Sequence, residues 1–142
     1  MMKLENLYPE RVFHYFEKLT EIPHGSRNTK QISDYLVSFA KEHGLKYYQD
    51  ESNNVIIVKE ATAGYENADT IIIQGHMDMV CEKENGCNID FTKDSLDIFI
   101  DGDFVKAKGT TLGGDDGIAV AYALAILESK EIAHPKLEVI IT

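Results

Sequence analysis

The chain has 142 residues, 44% of them hydrophobic and 27% charged, with 10 Gly and 3 Pro, an ordinary globular composition long enough for one domain with a real core. Its formal charge of −10 sets it against phosphate backbones and anionic lipid, so neither nucleic acid nor membrane is an expected partner. No stretch approaches the roughly 20 apolar residues that span a bilayer, the N-terminus has no apolar signal core, and two cysteines, Cys81 and Cys87, suit a reducing cytosol better than a disulfide framework.

The predicted elements begin with an amphipathic helix through Leu7, Val12, Phe13, Phe16, Leu19 and Ile22, with Pro9 in its first turn. It should end before Pro23, and Pro23–Ser26 reads as a loop. A second helix spans about Thr29 to His43, with Gly44 as its C-terminal cap. The period then shortens. Leu45–Gln49 and Val55–Lys59 read as a hairpin turning at Asn53-Asn54. Thr70–Gln74 is a continuous apolar strand, expected to be buried on both faces.

Two further strands join around Asp101-Gly102-Asp103, within Leu96–Ala107. Ile118–Leu127 is apolar nearly all round, which predicts a buried helix. Leu137–Ile141 is a last strand, and a buried strand at the final residue reads as the edge of a longer protein. The expected fold is α/β: a mixed, partly parallel sheet flanked by helices.

Two clusters carry chemistry. Gly75-His76-Met77-Asp78 follows the apolar strand directly, where open α/β sheets place ligands. In extended backbone, residues two apart share a side, so the Asp78 carboxylate can orient the His76 imidazole for a metal. Alone, this pattern equally suits a turn whose side chains bond backbone. The second cluster is Gly109–Gly117, with Asp115 and Asp116 ahead of the Ala-rich helix. One aspartate could cap that helix, which leaves the other unexplained. Two adjacent carboxylates would repel a phosphate, so a cation fits better. One histidine and one aspartate at separate strand or loop ends resemble half of a zinc site.

The string Gly75-His76-Met77-Asp78-Met79-Val80-Cys81-Glu82-Lys83, followed by Gly109-Thr110-Thr111-Leu112-Gly113, resembles the aminoacyl-histidine dipeptidase family (Xaa-His dipeptidases, peptidase D) of the co-catalytic zinc aminoacylase and carboxypeptidase superfamily. The resemblance runs the length of the chain, which would make residues 1–142 an incomplete, N-terminal portion of a zinc peptidase catalytic domain. It implies that His76 binds one zinc, that Asp78 orients it as a catalytic-site residue, and that Asp115 bridges both metals. It further implies a cis peptide after Asp115 where metal is bound, a small-peptide substrate, a cytoplasmic location, and homodimerisation through an inserted domain. The implied reaction is hydrolysis of Xaa-His or related dipeptides by zinc-activated water.

The chain departs from the family in two ways. Gly114 and Asp116 stand where relatives commonly carry Ala and Asn. The family's Glu-Glu pair, general base and zinc ligand, follows the strand matching Leu137–Ile141 and lies outside these residues. The isolated chain is therefore expected to be inactive. Rival readings are another peptidase or aminoacylase of the superfamily, a non-catalytic metal-binding or interaction module, and a structural zinc site on Cys81, Cys87 and His76, whose spacing is wrong for a zinc knuckle. Of the remaining histidines, His14 and His43 fall on helices, His134 beside Pro135, and His24 in a loop, where function concentrates.

Overall fold

A computed structural model describes all of Met1–Thr142. Helix α1 is Glu10–Thr20, and its apolar positions Val12, Tyr15, Phe16 and Leu19 form one buried stripe. Pro9 precedes the helix instead of opening it: its ψ of 124° is extended, which suits a residue with no N–H to offer. One carboxylate sits inside the buried stripe. Glu17 accepts the backbone N–H groups of Lys3 (2.7 Å) and Leu4 (2.8 Å), which ties the N-terminal segment, with fully buried Leu4, to the helix.

Helix α2 is Lys30–Glu42, and it buries Ile32, Leu36, Val37, Phe39 and Ala40. Gly44 ends it in the left-handed conformation (φ +63°), so that the N–H groups of Gly44 and Leu45 reach back to the carbonyls of Lys41 and Ala40. Strands β1 (Lys46–Gln49) and β2 (Val55–Lys59) then form an antiparallel hairpin. Its turn is wider than an Asn53-Asn54 dipeptide. The Asp50 carboxylate organises residues 50–54 by accepting the N–H groups of Ser52 and Asn54 and the Asn54 amide.

Strand β3 is Ile71–Gly75, β4 (Ile98–Asp101) and β5 (Phe104–Ala107) make a separate hairpin, helix α3 is Gly114–Glu128, and strand β6 is Leu137–Ile141. The main sheet runs β1-β2-β6-β3, with β3 and β6 parallel and the other pairs antiparallel. It is the mixed, partly parallel sheet that the sequence predicts. Val55 and Ile57 of β2, with Val139 and Ile141 of β6, join Leu36 and Phe39 of α2 and Val120, Leu124 and Leu127 of α3 in one core. Each such side chain contributes roughly 1.5–3 kcal/mol on full burial.

Two expectations of burial fail. Strand β3 pairs only with β6, so it is an edge, and Ile71 and Ile72 are 49% and 61% exposed. An apolar run reports the capacity to be buried, while the neighbours that would do so must come from elsewhere. Helix α3 likewise buries Val120, Ala121, Ala123, Leu124 and Leu127 but leaves Ile118 and Tyr122, one turn apart, exposed.

Candidate metal centre

Three loops converge beyond the end of β3. The segment after Gly75 runs extended, and Gly25 bridges to Met79 in parallel fashion, the Met79 N–H donating to the His24 carbonyl (2.9 Å) and the Ser26 N–H to the Met79 carbonyl (3.0 Å). On its other side the same segment is clasped by residues 109–111: the Thr111 N–H reaches the Glu82 carbonyl (2.9 Å) and the Thr111 hydroxyl donates to the Val80 carbonyl (2.7 Å). The Gly-rich loop and the His76 segment are thus parts of one hydrogen-bonded unit.

Gly113 precedes α3 in the left-handed conformation (φ +74°). Neither aspartate caps the helix. Asp115 and Asp116 have non-helical dihedrals, no side-chain cap bond forms, and the Asp115–Asp116 peptide is cis. The alternative of an Asp cap is therefore not realised: Gly113 makes the turn, and both carboxylates are free for other partners. Asp116 spends one oxygen on the backbone N–H of His76 (3.1 Å), which pins the start of the loop at the strand end. That gives the Asp in place of the commoner Asn a structural use, since either side chain offers an acceptor oxygen there.

His76, Asp78 and Asp115 come together. The Nδ1 of His76 lies 3.0 Å from Asp78 Oδ1, and its Nε2 lies 3.0 Å from Asp115 Oδ1. Partial burial works against a charged imidazole here. The bonds to Asp115 and Asp78 and the nearby Asp116 charge outweigh it, so His76 titrates above its ordinary value. Asp78 is held below the usual carboxylate range, first by the Ser26 hydroxyl, against some burial, and then by His76.

The donor set fits zinc as far as it goes. An imidazole nitrogen and a carboxylate oxygen are both zinc ligands, they stand 3.0 Å apart, and the Asp115 side chain is 94% exposed with its carboxylate open to solvent. They do not complete a cage: no group of three or more His, Cys, Asp or Glu side chains is arranged to hold a metal ion. The same finding removes the reading of Cys81, Cys87 and His76 as a structural zinc site, and both thiols are free.

The other histidines take local partners. His43 bonds the Phe39 carbonyl and His134 the Pro135 carbonyl. His24 is buried beside the site, its Nδ1–H donating to the Ile22 carbonyl (2.6 Å), and burial lowers its pKa. Sequence reasoning missed Ser26, whose hydroxyl donates to Asp78 across 52 residues of chain, a separation no local pattern signals.

No family model matches the chain. It is, however, 44% identical over all 142 residues to the cytosol non-specific dipeptidase of Escherichia coli K12. Over its whole length, the chain is similar to a dipeptidase. It spans 29% of that protein's length. The crystal structure of an aminoacylhistidine dipeptidase from Vibrio alginolyticus superposes with a TM-score of 0.95 at 42% identity, over 98% of this chain and 28% of that one. A dinuclear metal-binding peptidase of the M20 family from Bacillus subtilis matches with a TM-score of 0.52 at 15% identity, over 92% of this chain and 34% of that one, a likeness of fold. The two relatives above 40% identity are dipeptidases by name, and the mixed sheet flanked by helices is shared with both solved structures.

Proposed function

We propose that residues 1–142 form part of the catalytic domain of a zinc-dependent dipeptidase acting on Xaa-His or related dipeptides. In this reading His76 and Asp115 are zinc ligands, Asp115 bridges two metals, and Asp78 orients the histidine. The observation that carries it is the alignment Asp78–His76–Asp115, both links 3.0 Å, at the carboxyl end of β3. An ordinary turn gives a histidine a backbone partner on one side, and Nδ1 has one here too, the Asp78 carbonyl at 3.1 Å. Such a turn does not aim both ring nitrogens at carboxylates from separate loops.

The chemistry that a bound zinc pair supplies is polarisation of the scissile carbonyl and activation of water. The chain's own residues prepare for it. Asp78, kept ionised, accepts the hydrogen bond of the His76 Nδ1–H, which leaves Nε2 with its lone pair on the Asp115 side. Asp116 holds the His76 backbone, so the ring starts from a fixed position. Asp115 presents an exposed carboxylate that can share its two oxygens between cations.

Two donors do not make a peptidase site; in this reading further ligands and a general base would be supplied by the rest of a protein of which the chain matches 29%, as the family resemblance implies. The protein's expected setting is the cytosol, where a small peptide would be its substrate and a second subunit its partner; at a charge of −10 it would bind neither nucleic acid nor membrane. No helix is long and apolar enough to cross a membrane. The incomplete donor set also favours a second reading, in which the isolated chain binds metal without catalysis.

The test is zinc titration of the 142-residue chain and of its H76A and D115A variants, followed by dipeptide hydrolysis with and without the remaining sequence of a full-length relative. Zinc binding lost in both variants, with turnover appearing only in the completed protein, supports the proposal. Unaltered zinc binding in H76A would sink it.

A further inference from the structure

We propose that Ser26 is a positioning residue for the metal-binding histidine: its hydroxyl fixes the Asp78 carboxylate, which in turn fixes the His76 ring. The inference rests on the metal-site reading above and adds a residue that acts at one remove. The Ser26 hydroxyl donates to Asp78 Oδ2 at 2.5 Å, while the other oxygen, Oδ1, faces His76 Nδ1 at 3.0 Å. The terminal torsion of an aspartate is broad, so a single contact leaves the carboxylate free to swing. Contacts on both oxygens leave it one orientation.

The placement of Ser26 belongs to the backbone. Its N–H donates to the Met79 carbonyl, and the Met79 N–H donates to the His24 carbonyl, so Gly25 lies beside Met79 in an isolated parallel bridge. That bridge brings the hydroxyl to the carboxylate from a loop 52 residues away. The hydroxyl has a second acceptor within reach, the Met79 carbonyl at 3.3 Å. Its one proton goes to the closer and charged oxygen.

The consequence concerns which ring nitrogen bears the proton. With Asp78 fixed, Nδ1 is the donor and Nε2 keeps the lone pair that a metal needs. Without the serine hydroxyl, Asp78 can rotate and leave the Nδ1–H to the Asp78 backbone carbonyl alone, 3.1 Å away, so the form with its proton on Nε2, facing Asp115 in the metal's place, gains population.

The test compares wild type, S26A, S26T, S26C and H76A as full 142-residue chains, by calorimetric titration with zinc chloride and by the ring 15N resonances of His76. Loss of an outer partner of a metal-bound histidine weakens affinity about 10–100-fold, and S26A is expected near the lower end, about tenfold. S26T keeps a hydroxyl and should bind as wild type, while S26C, with its weaker S–H donor, should fall between. In zinc-loaded wild type and S26T the His76 Nδ1 is protonated; S26A should give mixed or broadened ring signals.

Zinc affinity and ring signals unchanged in S26A, with binding lost in H76A, would overturn the role of Ser26 and leave the metal site standing. Equal weakening in S26A and S26T, tracking a common fall in Tm, would overturn it too, as the mark of a merely structural residue. Unaltered binding in H76A would remove both proposals. Should S26A fail to fold, the ordering of S26T above S26C decides the question.

Discussion

Replacing Gly113 by alanine should destabilise the protein through two separable effects, and the chain contains the control for one of them. Gly113 has φ +74°, and a Cβ there would lie 2.9 Å from Met79 Sδ, 3.2 Å from Met79 Cβ and 3.3 Å from His24 Nε2. The left-handed conformation costs an L-residue about 1–2 kcal/mol, and forcing a methyl into filled space adds about 1–3 kcal/mol. Gly44 has nearly the same conformation, φ +63°, with nothing within 4 Å of the position its Cβ would take. G44A should therefore show the backbone effect alone, and G113A should exceed it by about 1–3 kcal/mol.

Urea denaturation followed by circular dichroism measures both variants, with equal m-values as the condition for comparing them. A difference between G113A and G44A below about 0.5 kcal/mol, the scatter of ordinary surface substitutions, would refute the close packing of Gly113 on Met79 and His24. Because Gly113 makes the turn that sets Asp115, G113A should also shift the His76 ring resonances, whereas G44A should leave them in place.

Other substitutions have equally definite outcomes. E17A strands the buried N–H of Leu4, at about 1–3 kcal/mol for a buried donor left unpaired, and returns the part-buried N–H of Lys3 to water, measurable as a fall in urea midpoint with the N-terminal segment released to proteolysis. Glu128 is half-shielded, which favours its neutral form, yet the paired bonds from Arg11 (2.7 Å each) and the contact with Tyr15 hold it below its ordinary value. A depressed carboxylate stabilises the fold above its unfolded pKa and loses that contribution as pH falls through its folded pKa. Stability should thus decline below about pH 4.5, and E128Q should flatten that part of the pH–stability curve. D78N should weaken zinc binding about 10–100-fold in calorimetry while leaving Tm little changed, and a purified chain hydrolysing dipeptides with zinc but without added sequence would contradict the account of an incomplete donor set.

The parts of the fold legible in the sequence were those written in local periodicity. The stripe of α1, the span of α2 with its Gly44 cap, and the strand at Leu137–Ile141 follow from spacing of 3.6 or 2 and from a glycine where φ turns positive. The exposure of Ile71 and Ile72 was not legible, since it depends on which strands lie beside β3, and three isoleucines in a row look the same at an edge as at a centre. At the site, the spacing of His76 and Asp78 announced that they could share a side. That Asp115 would face the other ring nitrogen followed from family resemblance, and that Asp116 would turn back to the strand followed from neither. The Ser26 contact is long-range, made by two loops 52 residues apart in the chain.

The strand order has a consequence for the timing of folding. Strand β6 lies between β2 and β3, yet it is the last of the four to appear in the chain. During vectorial synthesis the β1–β2 hairpin can close on itself, while β3 has no partner until β6 arrives, some 60 residues later in the chain. One insertion, β6 sliding between two waiting edges, therefore completes the sheet and simultaneously fixes the end of β3, where the Thr142 N–H and carbonyl engage Gly75 and Met77 on either side of His76. Docking of β6 thus supplies both the middle of the sheet and the last backbone bonds around His76.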